Sequence, residues 1–161
     1  MTDYLNYEDY VTAKEQKVLY WAHAVIDESD SRLERSIARR IVQSKEEAAE
    51  AIHEYKTKLA KGDLRWDSWH SAHQYNVAGA VKVAELYMEL GVTLEACIAR
   101  GDRFKDVLQD QLNYSAYKAL WDIPTSAGNG HRGGNMAALE GRLQFNHYIA
   151  EIIRDEEKRN D

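Results

Sequence analysis

The residues best suited to chemistry in this chain cluster in the run from Arg65 to Asn76, which mixes tryptophan, histidine, serine and carboxylate side chains. His70 and His73 stand three apart, so on a helix their rings share one face, about 5–6 Å apart at Cβ. Two neutral imidazoles can share a metal ion. His23, His53 and Glu50 are available as further ligands. Glu50 and His53 have the Glu-x-x-His spacing of carboxylate-bridged diiron bundles, but those sites use two copies and a lone glutamate on each of two more helices. Only one copy is present here. His147 and Glu151, four apart, read as a surface pair. The ligand set that a metal requires is incomplete, so the expectation is no metal and no cofactor, with His70 and His73 the places to look.

A second cluster is glycine-rich. Gly128, Gly130 and Gly133 match the spacing of a dinucleotide-binding loop. That loop works between a strand and a helix within a βαβ unit. Here a helical run and Pro124 precede it, which excludes the dinucleotide reading. Glycine backbone N–H groups, His131, Arg132 and a helix start at Asn135 can still hold a phosphate or carboxylate. The plainer expectation is a connector, which glycines produce by default.

A third cluster is basic. Arg32, Arg35 and Arg39 fall on one side of a helix at three- and four-residue spacing, with Arg40 beside them. Such a face can track phosphates or meet an acidic partner. Pairing with Glu34, Glu46 and Glu47 on a solvated face is the simpler expectation. Glu46, Glu47 and Glu50 resemble the Glu-Glu-x-x-Glu motif of the all-α nucleotide pyrophosphohydrolases, whose carboxylates bind magnesium. That family pairs it with a Glu-x-x-Asp motif on the next helix. Here Glu85 is followed at that spacing by Met88, and Asp106 is preceded at it by Arg103. The chain is therefore not assigned to the family. Nucleophilic catalysis has little support, because Cys97 falls on an apolar helical stripe where a thiol is inert.

The aromatic content points elsewhere. Ten tyrosines and four tryptophans accompany two phenylalanines. Tyrosine and tryptophan join apolar area to a polar tip, which suits a surface buried against a partner. Tyr4, Tyr7, Trp66 and Trp69, with Arg32, Arg35 and Arg39, are the expected partner-binding residues.

These groups must be positioned by helices. Apolar residues recur at three- and four-residue spacing throughout. One proline and nine glycines in 161 residues leave little material for the turns of an all-β fold. The expected fold is a single all-α domain, a bundle of five to six helices with one Gly-rich loop before the last. The first helix is expected from about Tyr7 to Glu28. Ser31 and Ser44 both begin capping-box patterns, so the next run is either kinked at Ser44 or divided there. Gly62 can stop it, and Asp63 can cap a third helix to Leu90. In that helix Gly79 and its alanines suggest close approach of a neighbour. Gly91 then punctuates, and a short helix from Thr93 to Arg100 follows. Asp102 is expected to cap the next helix, with Phe104, Val107, Leu108, Leu112 and Tyr117 inward. The loop spans 122–134. Asn135 is expected to cap the last helix, with Met136, Leu139, Leu143, Ile149 and Ile153 facing the core. Flexible ends are expected at about 1–5 and 155–161.

A net charge of −6 disfavours nucleic acid and anionic membranes as partners. No basic, apolar leader precedes the first helix, no run reaches the ~18 apolar residues of a membrane span, and the single cysteine forms no internal disulfide. A cytoplasmic location is expected. Together these features predict a non-enzymatic interaction protein that binds a protein partner or forms a homo-oligomer through an aromatic-rich surface. The build also suits a phage-type accessory or inhibitor protein. The alternative is a ligand-binding or metal-dependent enzyme built on the histidine-rich helix and the Gly-rich anion loop.

Overall fold

A computed structural model describes residues 4–62, 68–121 and 132–159, with the side chains of 68–73 and 132–135 left aside. The chain forms five α-helices, α1 (Ala13–Glu28), α2 (Arg32–Ala60), α3 (Ser68–Ala99), α4 (Phe104–Trp121) and α5 (Arg132–Arg159), preceded by a 3-10 turn at Tyr7–Tyr10. No strand occurs among the described residues. The expected single-domain bundle is what these helices build. No described helix is long and apolar enough to cross a membrane.

Local chemistry sets most boundaries. The first helix starts later than its apolar spacing suggests, because Thr12 supplies a complete capping box. Its hydroxyl accepts from the Glu15 N–H, and the Glu15 carboxylate accepts from the Thr12 N–H. Ser31 caps α2 by accepting from the Glu34 N–H at 3.2 Å. Of the two expectations at Ser44, a kink or a division, the division does not occur: α2 runs through it as one helix of 29 residues. The Ser44 side chain is buried, and its hydroxyl donates back to the Ile41 carbonyl at 2.9 Å. A serine satisfied inside its own helix has no need to end it. Gly62 (φ +71°) and Gly101 (φ +97°) end α2 and α3 in the left-handed region, as expected of glycine.

Gly91 does not punctuate. It lies inside α3, which continues through the expected short helix to Ala99. The reason is tertiary. A Cβ at Gly91 would stand 2.5 Å from Val18 Cγ1 of α1 and 3.5 Å from Ile41 Cδ1 of α2. Glycine there removes a side chain where three helices converge, and this close fit outweighs its poor helix propensity. Gly141 acts in the same way against Gly79, where a Cβ on Gly79 itself would meet only an ordinary contact at 3.8 Å. A Cβ on Gly141 would stand 3.0 Å from the Gly79 carbonyl oxygen, so α3 and α5 cross backbone to backbone. The close approach expected at Gly79 is present.

Other expectations need correction. Asp102 does not act as the expected cap: its carboxylate is held by Arg100 at 2.6 and 3.0 Å, and the first turn of α4 closes on the Arg103 carbonyl. Asn135 lies inside α5, not ahead of it, so the segment between α4 and α5 is shorter than 122–134. Ile149 and Ile153 are buried as expected, but Met136 and Leu143 are exposed, and α5 buries Ala137, Arg142 and Phe145 as well. The charged tail remains helical to Arg159. Asp63 lies outside the described residues.

The core gathers around α3, which touches each of the other four helices. Ile37, Ile41, Leu94, Leu108 and Ile149 are fully buried, and each such side chain stabilises the fold by roughly 1.5–3 kcal/mol. Tyr87 of α3 sits at the centre, edge-on to Phe145 at 4.8 Å and to Tyr148 at 6.4 Å. The Arg40 guanidinium of α2 lies 5.6 Å from the Tyr87 ring and 5.5 Å from the Tyr148 ring, a cation held by two faces. Burial pushes the Tyr87 hydroxyl well above the usual phenol range, against the opposing pull of the Arg40 charge.

Two predictions follow from this packing. Gly91→Ala gains about 1 kcal/mol in helix propensity but forces an overpacked contact costing ~1–3 kcal/mol. The expected net effect in urea unfolding is destabilisation, and adding Val18→Ala shrinks the penalty of Gly91→Ala. Additive effects of the two substitutions would remove close approach as the reason for this glycine. The second prediction concerns acid. Burial raises the Glu15 carboxyl, but its 2.7 Å bond to Lys45 and its bonds to Thr12 outweigh that, leaving it below the ordinary value of 4.5. A carboxylate lowered in the native state stabilises the fold above the unfolded value, and this stability is lost as pH falls through the native one. Glu15→Gln should therefore flatten the fall of Tm between pH 5 and pH 3, in buffers of about those values.

Candidate interaction surface

The sequence-derived candidates fall into three groups. Tyr4 is exposed, but Tyr7 is half-buried with its hydroxyl oxygen inside, its pKa pushed up to about 12 by burial and by the charges of Glu46 and Glu15. Arg32 and Arg39 face solvent, whereas Arg35 donates to the Ser29 carbonyl at 2.7 Å and so closes the C-terminus of α1. Arg35 thus serves the fold, and the basic stripe is reduced. The third group is outside the described side chains. Trp69, His70 and His73 fall in the first turns of α3, and Arg132, Gly133 and Asn135 in the first turn of α5. Trp66, Gly128, Gly130 and His131 lie outside the described residues altogether.

The metal alternative gains no ligand set. Among the described residues, no three His, Cys, Asp or Glu side chains come together as a metal site. His53 bonds the Tyr10 hydroxyl through Nδ1 at 2.9 Å and ties the N-terminal turn to α2. His23 and Glu50 are exposed. His147 and Glu151 form the expected surface pair, at 3.2 Å.

A cavity of about 270 Å³ opens between α2, α3 and α5. Gly79 and Gly141 form its narrow part, and Arg40, Glu47, Tyr75 and Glu140 supply its charged and phenolic groups. These groups already satisfy one another in part. Arg40 pairs with Glu47 at 3.5 Å, and a hydrogen bond to Glu140 raises the Tyr75 hydroxyl. The cavity is a polar seam between helices.

The outer face of α4 differs from every other described surface. Tyr114, Tyr117, Leu120 and Trp121 are 57, 56, 68 and 70% exposed, four large side chains within two turns. Positions 114, 117 and 121 share one helical face. Tyr117 and Trp121 meet edge to face at 6.1 Å, and the Lys118 ammonium lies 6.0 Å from the Tyr114 ring centre. The aromatic groups therefore order one another without being covered by the bundle.

Tyr117 was expected to point inward, and the opposite face of α4 explains why it does not. Val107, Leu108, Ser115 and Ala119 are the buried residues of this helix. Ser115 is buried because Arg142 of α5 is buried, at 7% exposure, and donates through Nη1 to the Ser115 hydroxyl at 3.1 Å. A buried guanidinium demands polar partners. The serine that supplies one shares the buried face of α4 with Val107, Leu108 and Ala119, and burial of that face turns Tyr114, Tyr117 and Trp121 outward. A signal was present: Ser115 and Ala119 are four apart, the spacing of a small-residue face against a neighbouring helix.

A second aromatic region lies near the N-terminus, where Tyr7, Glu8, Val11, Gln16, Leu19 and Tyr20 line an open hollow of about 450 Å³. Tyr20 is exposed beside it. This is the region that Tyr4 and Tyr7 marked in the sequence. It is shallower in aromatic content than α4, since Tyr7 and Leu19 are already committed to the bundle.

Comparison with protein-family models, curated proteins and solved structures finds no match to this chain.

The orientation of α4 is testable through its anchor. Ser115→Ala should cost ~1–3 kcal/mol by removing a partner from a buried charge. Asn113→Ala, on the exposed side where Asn113 accepts from Gln109, should change stability by less than about 0.5 kcal/mol. Chemical denaturation of both variants compares the two faces directly.

Proposed function

We propose that this chain is a non-enzymatic interaction protein that binds a protein partner, or a second copy of itself, through the aromatic face of α4. The observation that carries this reading is the outward set of Tyr114, Tyr117, Leu120 and Trp121 at the end of a helix whose other face is buried. Scattered apolar residues are normal on a surface, but a contiguous set with polar neighbours marks a binding site. Tyrosine and tryptophan carry most of the energy in such sites, and they lose little side-chain freedom on binding. The chemistry agrees: Asp110, Asn113 and Lys118 flank the aromatic groups and give the patch a polar rim.

The N-terminal aromatic region supplies the control. A tagged chain is used to capture partners from a lysate of the source cells, and captured proteins are identified by mass spectrometry. Capture is expected to survive Tyr4→Ala/Tyr20→Ala and to be lost from Tyr117→Ala/Trp121→Ala, a pair expected to cost about 2 kcal/mol or more in affinity. Circular dichroism checks that both variants remain helical. Unchanged capture by the folded α4 variant would overturn the assignment to this face.

A further inference from the structure

We infer that the occupant of the α4 face is α4 of a second copy, packed antiparallel about a two-fold axis that crosses the outer face midway between Asp110 and Tyr114. This rests on the reading of α4 as the partner surface and names the partner. The outer face of α4 runs through Asp106, Asp110, Tyr114, Tyr117 and Trp121, and Arg103, just ahead of the helix and 3.9 Å from the Asp106 carboxylate, continues it; the intervals of three and four residues are the spacing of a helix-pairing seam. All six are exposed. The face is divided along its length. Its N-terminal half carries the carboxylates of Asp106 and Asp110, and its C-terminal half carries the aromatic rings and the Lys118 ammonium.

A divided face of this kind complements itself when the helix is reversed. A two-fold axis at the helix midpoint sets each residue against its mirror position in the copy. Lys118 then meets Asp106 of the second copy. The Tyr114 hydroxyl meets the carboxylate of Asp110, and the Trp121 ring meets the guanidinium of Arg103. The first contact is an ion pair, the second a hydrogen bond donated to a carboxylate, and the third a cation–π contact. Each occurs twice, because a two-fold interface uses the same patch on both subunits. A parallel pairing would set Asp106 and Asp110 against themselves and gain none of these contacts. Among the described residues, α4 packs against α3 and α5, and its outer face is exposed.

Sedimentation equilibrium of the full chain tests this, with circular dichroism to confirm that each variant is folded. The wild type is expected to be a reversible dimer. Lys118→Glu and Asp106→Lys should each weaken it by about tenfold or more, by setting like charges opposite each other. The combined variant restores opposite charges and should recover wild-type dimerisation. A monomeric wild type overturns the inference, as does a dimer indifferent to both single changes, or a combined variant that stays as weak as the single ones. The underlying reading fails separately. If the wild type is monomeric while capture of another protein still depends on Trp121, the α4 face stands as the partner surface and only its occupant is wrong.

Discussion

The bundle depends on one geometric demand: α3 must lie close enough to four helices to touch them all. Side chains keep helix axes about 8–10 Å apart, so the tightest crossings need positions with none. Gly91 meets this demand where α1 and α2 converge on α3, and Gly79 with Gly141 meets it at the crossing with α5. With α3 seated in this way, Tyr87 reaches the centre, and Arg40 from α2 can span the rings of Tyr87 and Tyr148. One cation then joins three helices through a contact that is largely apolar.

The helical class is legible in the chain because three- and four-residue spacing is a local property. Ser31, Gly62 and Gly101 also do what their types suggest, since capping and left-handed turns involve only near neighbours. The misplaced boundaries have more than one cause. Gly91 looks like an end when read against adjacent residues, but Val18 of another helix decides its role. Ser44 is decided locally, because its hydroxyl bonds the Ile41 carbonyl three residues back instead of capping a new helix, a choice that the residue type does not announce. Val18 is more than 70 residues away in sequence from Gly91, and nothing near Gly91 announces it. Asp102 fails as a cap because Arg100 reaches it first.

That some tyrosine and tryptophan side chains would be exposed was legible, and which ones was not. An excess of tyrosine and tryptophan over phenylalanine announces side chains meant for an edge or an interface. Which of them face outward depends on the rotation of each helix. For α4 the buried face includes Ser115, bonded to Arg142, beside Val107, Leu108 and Ala119, and an apolar pattern passes over those two polar residues. Arg35 illustrates the converse. It belongs to a basic stripe by spacing, yet its guanidinium completes the end of the preceding helix.

The paired glycines of α3 and α5 also bear on ancestry. Surface positions in a helical bundle drift freely, and most core positions accept any apolar residue of similar volume. Position 141 has no such freedom, because a Cβ there would face the Gly79 carbonyl oxygen at 3.0 Å and the base of the Lys82 side chain at 3.2 Å, not a movable tip, whereas a Cβ at position 79 would meet an ordinary contact, the Ala137 carbonyl oxygen at 3.8 Å. Diverging descendants of this chain would keep glycine at 141 after the rest of the alignment had faded, and would exchange position 79 more readily. That one-sided constraint is the lineage mark this fold would leave.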